Sequence, residues 1–214
     1  MTRFFLFDLD GTLVDSRADI ASAVNLTRAG FNLPPLELDT VVRCIGRGVE
    51  DLMRNTIFER PVGLMNETLA AYRTNYRAHL LDETVAYPGI PELLAELRDA
   101  GHGLAVVTNK GRAASCAILE GLGLMPFFGA IVGDGDAAAL KPDPAPLHLA
   151  AQKLGRELQP ADWMVGDQDT DLLAGAAAGI QTCFCCWGFS GPDAPLPATL
   201  CAETPARLGA VSRC

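Results

Sequence analysis

The sequence predicts an α/β fold, a Rossmann-like doubly wound parallel sheet with a small all-helical insertion after the first strand. Three observations carry that prediction. The run Phe4-Phe5-Leu6-Phe7 is continuously apolar, as suits a strand buried on both faces of a parallel sheet. From residue 90 onward, short apolar runs alternate with helical patterns. Between these two regions lies a helical texture from Asp15 to about Leu81, with no strand pattern inside it.

The elements follow in order. The first strand spans Arg3 to Asp8, and Leu9-Asp10-Gly11-Thr12 breaks it. Asp15 or Ser16 is expected to cap the first helix, which Gly30 stops. Leu33-Pro34-Pro35 marks a loop, and Asp39 or Thr40 is expected to cap the next helix. Residues 61 to 81 read as one long helical stretch, with Leu64, Leu69, Tyr72 and Tyr76 roughly in phase. After Pro88-Gly89, a helix over 90–100 is closed by Gly101. Further helices over 113–122, 144–154 and 171–178 are stopped by Gly123, Gly155 and Gly179. Apolar strands are expected at 104–107, 130–132, 163–165 and 182–187. From Gly188 on, Pro, Gly and Ala dominate and no element is predicted. The core is therefore expected at 1–14 and 86–214, and the cap at 15–85.

Composition narrows the class. The 214 residues suit one domain with a modest insertion, and 49% are hydrophobic, enough for a sizeable core. A formal charge of −9 disfavours nucleic-acid and anionic-membrane partners. No apolar run is long enough to span a membrane, and the first residues do not read as a secretory leader. The seven cysteines form no paired framework, and Cys183-Phe184-Cys185-Cys186-Trp187 lacks zinc-site spacing, so buried reduced thiols are expected. His79, His102 and His148 share no visible site. The cysteine usage predicts a cytoplasmic protein with reduced thiols; a monomer or a homodimer is expected, and the sequence does not choose between them.

Three strands end in polar groups, Asp8, Thr108 and Asp167, and ligands of open α/β sheets sit at the carboxyl ends of strands. Asp8 and Asp10 stand two residues apart directly after a buried strand. Such a pair is costly without a cation, and a hard one such as Mg²⁺ suits it; Mn²⁺ or Co²⁺ would suit the same oxygens. A carboxylate is also a competent phosphoryl acceptor, and its neighbour can act as general acid. Thr108 with the amides after it can hold phosphate oxygens. Only three of the seventeen basic residues are Lys, and one of them, Lys141, is flanked by stiffening prolines in Lys141-Pro142-Asp143-Pro144. Its ammonium can offset charge on Asp8 and a transferring phosphoryl group. Asp167, Asp169 and Asp171 crowd a helix start, where acids also serve as caps.

Taken together, Asp8-Leu9-Asp10-Gly11-Thr12-Leu13, Val107-Thr108-Asn109-Lys110, Lys141-Pro142-Asp143-Pro144 and Val165-Gly166-Asp167 with Asp171 resemble the four motifs of the haloacid dehalogenase superfamily of phosphohydrolases. The resemblance covers nearly the whole chain. It implies that Asp8 forms an aspartyl-phosphate and that Asp10 protonates the leaving oxygen and then activates water. It further implies that Thr108 and the Asn109 amide hold the phosphoryl group and that Lys141 balances charge. Mg²⁺ would be held by the Asp8 carboxylate, the Asp10 carbonyl and Asp167, with Asp171 orienting Lys141 or the metal's waters. The partner would be a small phosphorylated metabolite. Within the superfamily the chain most resembles phosphoglycolate phosphatases, through Asp15-Ser16, Ile45-Gly46-Arg47-Gly48 and Val107-Thr108-Asn109-Lys110. Arg43 or Arg47 of the cap loop is expected to bind a substrate anion. Sugar-phosphate phosphatases and β-phosphoglucomutase-like phosphotransferases share the core pattern and remain alternatives, as does a non-enzymatic binding protein on the same fold. A dehalogenase would not need Asp10, and a phospho-receiver domain would carry no inserted cap.

Overall fold

The computed structural model describes residues 2–59 and 61–212. The chain begins with β1 (Phe4–Phe7) and β2 (Val14–Asp15). Four helices follow: α1 (Arg17–Gly30), α2 (Leu38–Val42), α3 (Val49–Thr56) and α4 (Met65–Ala78). Then come β3 (Val85–Ala86), α5 (Ile90–Asp99), β4 (Gly103–Gly111), α6 (Arg112–Gly121), β5 (Ala130–Asp134) and α7 (Ala145–Lys153). The chain continues through β6 (Trp163–Gly166), α8 (Asp169–Ala177), β7 (Gln181–Cys185), β8 (Leu200–Ala202) and α9 (Pro205–Ser212).

Six strands form one parallel sheet in the order β5-β4-β1-β6-β7-β8. The chain builds outward from β1 through β4 and β5, then returns to the other side of β1 for β6, β7 and β8. The order reverses at β1, so the carboxyl ends of β1, β4 and β6 surround the crevice where such sheets bind ligands. Strand β1 is buried on both faces, as its apolar run requires. Phe5 and Phe7 pack with Leu94, Leu97 and Ile118, while Phe4 and Leu6 pack with Val107, Ala150 and Met164. Cys183 and Cys185 are buried in the first of these layers, and the described cysteines are all free. No described helix is long and apolar enough to cross a membrane.

Helices α1 to α4 gather around a separate apolar cluster that includes Ile20, Val24, Leu52, Met53, Tyr72 and Tyr76. The chain enters and leaves them through β2 and β3, which pair antiparallel with Val14 opposite Ala86 and Asp15 opposite Val85. The buried Asp19 carboxylate fastens this junction. It accepts bonds from the Glu83 amide, the Thr84 amide and the Thr84 hydroxyl at 2.6–3.1 Å.

Several local expectations are corrected. The Ser16 hydroxyl does not cap α1; it donates to Asp10 Oδ1 at 2.5 Å. Glu37, not Asp39 or Thr40, precedes α2. The 61–81 stretch divides into a 3-10 turn over Val62–Leu64 and α4. Helix α8 starts at Asp169 because Gln168 and Asp171 form a reciprocal capping box. Strand β7 ends at Cys185, whose carbonyl accepts the Gly188 amide and turns the chain. The tail holds β8 and α9, and α9 is anchored by buried Leu208 against the α5 side of the core.

Candidate active site

The turn after β1 sets the first two carboxyl groups. The Leu9 carbonyl accepts the Leu13 amide at 2.9 Å, and the Gly11 amide donates to the Val14 carbonyl at 2.9 Å. Gly11 has φ +82°, a conformation that favours glycine. Asp8 remains attached to the sheet through its amide, which donates to the Val165 carbonyl at 2.9 Å. Asp10 is held by Ser16 and by Lys110, whose Nζ lies 2.9 Å from both Asp10 carboxylate oxygens.

At the end of β4, the ladder with β5 is interrupted between Val107 and Gly111. Thr108, Asn109 and Lys110 occupy that break. The Thr108 hydroxyl accepts the Lys110 amide at 3.2 Å and faces the same cavity as Asp8. The Asn109 side chain ties three loops together. Its Nδ2 donates to the Gly46 and Lys141 carbonyls, and its Oδ1 accepts the Lys141 amide, all at 2.9 Å.

Lys141 is 3% exposed, and each of its ammonium hydrogens has a partner. Nζ donates to Asp8 Oδ1 at 2.9 Å, to the Val107 carbonyl at 2.6 Å and to Asp171 Oδ1 at 2.6 Å. Asp171 uses its other oxygen to accept the Gln168 amide at 3.0 Å. The two readings of this acid, helix cap and lysine partner, thus hold together, one on each oxygen. Asp167 accepts from the Thr12 hydroxyl at 3.2 Å and from the Phe189 amide at 2.7 Å.

The electrostatics follow from burial and charge count. Burial works against the Lys141 ammonium, but Asp171 and Asp8 outweigh it and hold its pKa above the usual lysine value. Asp167 is pushed well above the carboxylate range, first by burial and then by the Asp171 and Asp8 charges. Asp171 is raised to about 6 by burial, with Lys141 pulling the other way.

One oxygen each of Asp8, Asp167 and Asp171 lie within 4.8 Å of one another, all buried. One ammonium faces three carboxylates there. That all-oxygen, net-negative set fits a hard divalent cation. The backbone makes room for it: a Cβ at Gly11 would lie 2.3 Å from Asp167 Oδ2, one at Gly188 2.2 Å from Asp167 Cβ, and one at Gly166 2.2 Å from the Asp171 carboxyl.

Two predictions arise here. Gly188→Ala is expected to lower stability by about 1–3 kcal/mol and to weaken the hold of this set on a divalent cation, because the added methyl displaces Asp167. Urea unfolding and calorimetric Mg²⁺ titration check it, and an unchanged Mg²⁺ affinity would refute the cradle. The second concerns charge. The folded pKa of Asp167 lies above its unfolded value, so its contribution is full below about 4 and is lost as pH rises through the folded value. In EDTA-treated protein, Asp167→Asn is therefore expected to stabilise by about 1–3 kcal/mol at pH 8 and by nothing at pH 4. Wild type is expected to gain in unfolding midpoint on adding Mg²⁺, and the same variant to lose that gain. Equal effects at both pH values would contradict the assignment.

Asp8, Asp10, Thr108, Asn109 and Lys110 line one side of a cavity of about 580 Å³, and helices α1, α3 and α4 supply much of the rest. Lys141, Asp167 and Asp171 lie behind Asp8, outside its lining. Arg43 and Arg47 are not brought to this cavity. Arg47 pairs with Asp169 at 2.6 Å, and Arg43 donates to Thr40 Oγ1 at 3.2 Å, both exposed. The arginines that do line it are Arg73 and Arg77 of α4 and Arg112 of α6. Sequence reasoning missed Ser16 and Lys110 as Asp10 partners. The sequence flags Lys110 only by the scarcity of Lys and by its place in Val107-Thr108-Asn109-Lys110, neither of which gives it a role.

The sequence profile of the haloacid dehalogenase-like hydrolases matches residues 5–185. A phosphoglycolate phosphatase of Aquifex aeolicus is 36% identical over 195 residues, covering 91% of this chain and 90% of that protein. One from Rhodospirillum rubrum is 36% identical over 218 residues, covering 98% and 90%. The crystal structure of a predicted phosphoglycolate phosphatase from Haemophilus somnus superposes with a TM-score of 0.88 at 26% identity, covering 99% of this chain and 98% of that one. With four motif segments meeting at the switch point of a six-stranded parallel sheet, and relatives matching along nearly its full length, this chain belongs to the haloacid dehalogenase-like hydrolase family.

Proposed function

We propose that the chain is a phosphomonoesterase that hydrolyses phosphate esters of small hydroxy acids, 2-phosphoglycolate among them, through a phosphorylated Asp8. One observation carries this reading. Asp8 lies on the cavity wall at the end of β1, with an ammonium bonded to its Oδ1 from behind. A carboxylate so placed is oriented toward an incoming group and cannot drift into the sheet.

Asp8 attacks phosphorus as the ester P–O bond breaks, and the leaving oxygen takes a proton from Asp10. Asp10 then takes a proton from water, whose oxygen attacks the phosphorus and breaks its bond to Asp8. Phosphate leaves, with Asp8 free and Asp10 protonated again. Ser16 and Lys110 hold the Asp10 carboxyl group at the cavity throughout. Thr108 and the Asn109 amide bind phosphoryl oxygens, and Lys141, kept in place by Asp171, balances the charge that collects on Asp8. Mg²⁺ bound by Asp8, Asp167 and the Asp10 carbonyl would screen the phosphoryl oxygens. The cap, residues 15–85, covers the site and excludes bulk water.

Release of inorganic phosphate from 2-phosphoglycolate, with Mg²⁺ or with EDTA, tests the reading. Mg²⁺-dependent release supports it. No release from this or any other phosphomonoester, with Mg²⁺ and EDTA indistinguishable, would end it.

A further inference from the structure

The cavity is larger and more apolar than a two-carbon acid phosphate requires. Its volume is about 580 Å³, within the range of about 300–1,000 Å³ that encloses drug-sized ligands. This is the volume with the cap seated. Asn109 Nδ2 reaches the Gly46 carbonyl at 2.9 Å, Arg47 pairs with Asp169 at 2.6 Å, and Lys110 Nζ sits 4.5 Å from the Tyr76 ring centroid.

The apolar part of the wall includes Ile20, Leu52, Tyr72, Tyr76 and Leu80 of the cap, with Ala114 of α6. A polyhydroxylated leaving group would lose its water there and find few replacements. An aliphatic or aromatic body would gain from burial. The buried Tyr76 hydroxyl has no hydrogen-bond partner among the described residues, so one polar contact remains available on this wall.

Arg73 and Arg77 also line the cavity, one helical turn apart on α4. Both are exposed, and neither makes an ion pair or hydrogen bond with any described residue. Most other described cap arginines are already committed: Arg17 to Asp15, Arg28 to Glu59, Arg47 to Asp169 and Arg54 to Glu50. On a chain of net charge −9, two unpaired guanidinium groups beside the apolar part of the cavity wall point to an anion.

We propose, building on the phosphomonoesterase reading above, that the preferred substrate is the phosphate ester of a hydroxy acid with a hydrophobic body. Its carboxylate meets Arg73 and Arg77, and its body packs against Leu52, Tyr72 and Leu80. 2-Phosphoglycolate is then the smallest member of the class, not the best one.

Steady-state kinetics with Mg²⁺ on four probes tests this: 2-phosphoglycolate, the phosphate ester of 3-phenyllactate, phenethyl phosphate and glucose 6-phosphate. The phenyllactate ester is expected to exceed 2-phosphoglycolate in kcat/KM by about tenfold or more, because the ring fills apolar space. It also exceeds phenethyl phosphate, which lacks the carboxylate. The double variant Arg73→Ala/Arg77→Ala raises KM for the phenyllactate ester about tenfold at similar kcat, and affects phenethyl phosphate far less. A higher kcat/KM for 2-phosphoglycolate or glucose 6-phosphate overturns this proposal and leaves the phosphatase reading standing. Equal loss on both phenyl esters in the double variant removes the arginines from the assignment. No hydrolysis of any probe overturns the phosphatase reading itself.

Discussion

Asp8→Asn is expected to lower phosphate release by about 10⁴-fold or more while the protein stays folded. The substitution changes one atom in a residue that is 7% exposed, so packing is retained. The amide oxygen can still accept from Lys141, and the amide nitrogen cannot attack phosphorus. Removing one negative charge from a cluster of three carboxylates costs the fold nothing and can stabilise it. The circular dichroism spectrum and unfolding midpoint should therefore match or exceed wild type. Turnover within about tenfold of wild type would remove Asp8 from the nucleophile role.

The second large effect concerns Lys141→Met. Its ammonium bridges Asp8 and Asp171, and its bond to the Val107 carbonyl uses the third hydrogen. Methionine is of similar length and leaves two buried carboxylates and one carbonyl without that donor. Breaking a buried ion pair from one side costs about 3–5 kcal/mol, and a loss of that size is expected at pH 8. The loss shrinks at pH 5, because Asp171, already raised to about 6 by burial, can then take up a proton in place of the ammonium. Activity falls as well, since Asp8 loses its fixed orientation. Lys141→Arg does not rescue it, because a wider planar group does not fit a site filled by a compact ammonium. Urea unfolding at the two pH values decides this. A variant as stable as wild type at pH 8 would show that Lys141 is not the counter-charge.

These two effects rest on residues that were visible in the sequence, while the groups that support them were not. Asp8, Asp10, Lys141, Asp167 and Asp171 each sit in a local pattern, an apolar strand followed by Asp or a proline-flanked Lys, so each could be selected without coordinates. The glycine-flanked loop at Ile45-Gly46-Arg47-Gly48 points to Arg47 on the same grounds, yet in this structure that guanidinium lies outside the cavity lining. In the folded chain Arg47 is taken up by Asp169, more than a hundred residues away, and the exposed Arg73 and Arg77 line the cavity edge. Nothing in the phase of α4 marks them, because a lining position depends on which face of the helix meets the core. Ser16 shows the same limit at short range. Its position before α1 looks like a cap, yet its hydroxyl turns to Asp10, because the turn at Gly11 brings that carboxylate within reach.

The tail makes the point for secondary structure. Strand β8 has three residues, too few to show a period, and exists because β7 offers a free edge to pair with. Phe189, in a stretch that predicted nothing, supplies the amide that holds Asp167. By itself the sequence determined the sheet class, the inserted helices and the core carboxylates and lysine, because these depend on local periodicity and on residue types with few other uses. Only the tertiary structure decided which cations remain unpaired, which glycines make room for Asp167 and Asp171, and which helix face closes the cavity. Those outcomes depend on contacts between residues far apart in the chain, and such contacts leave no periodic trace in it.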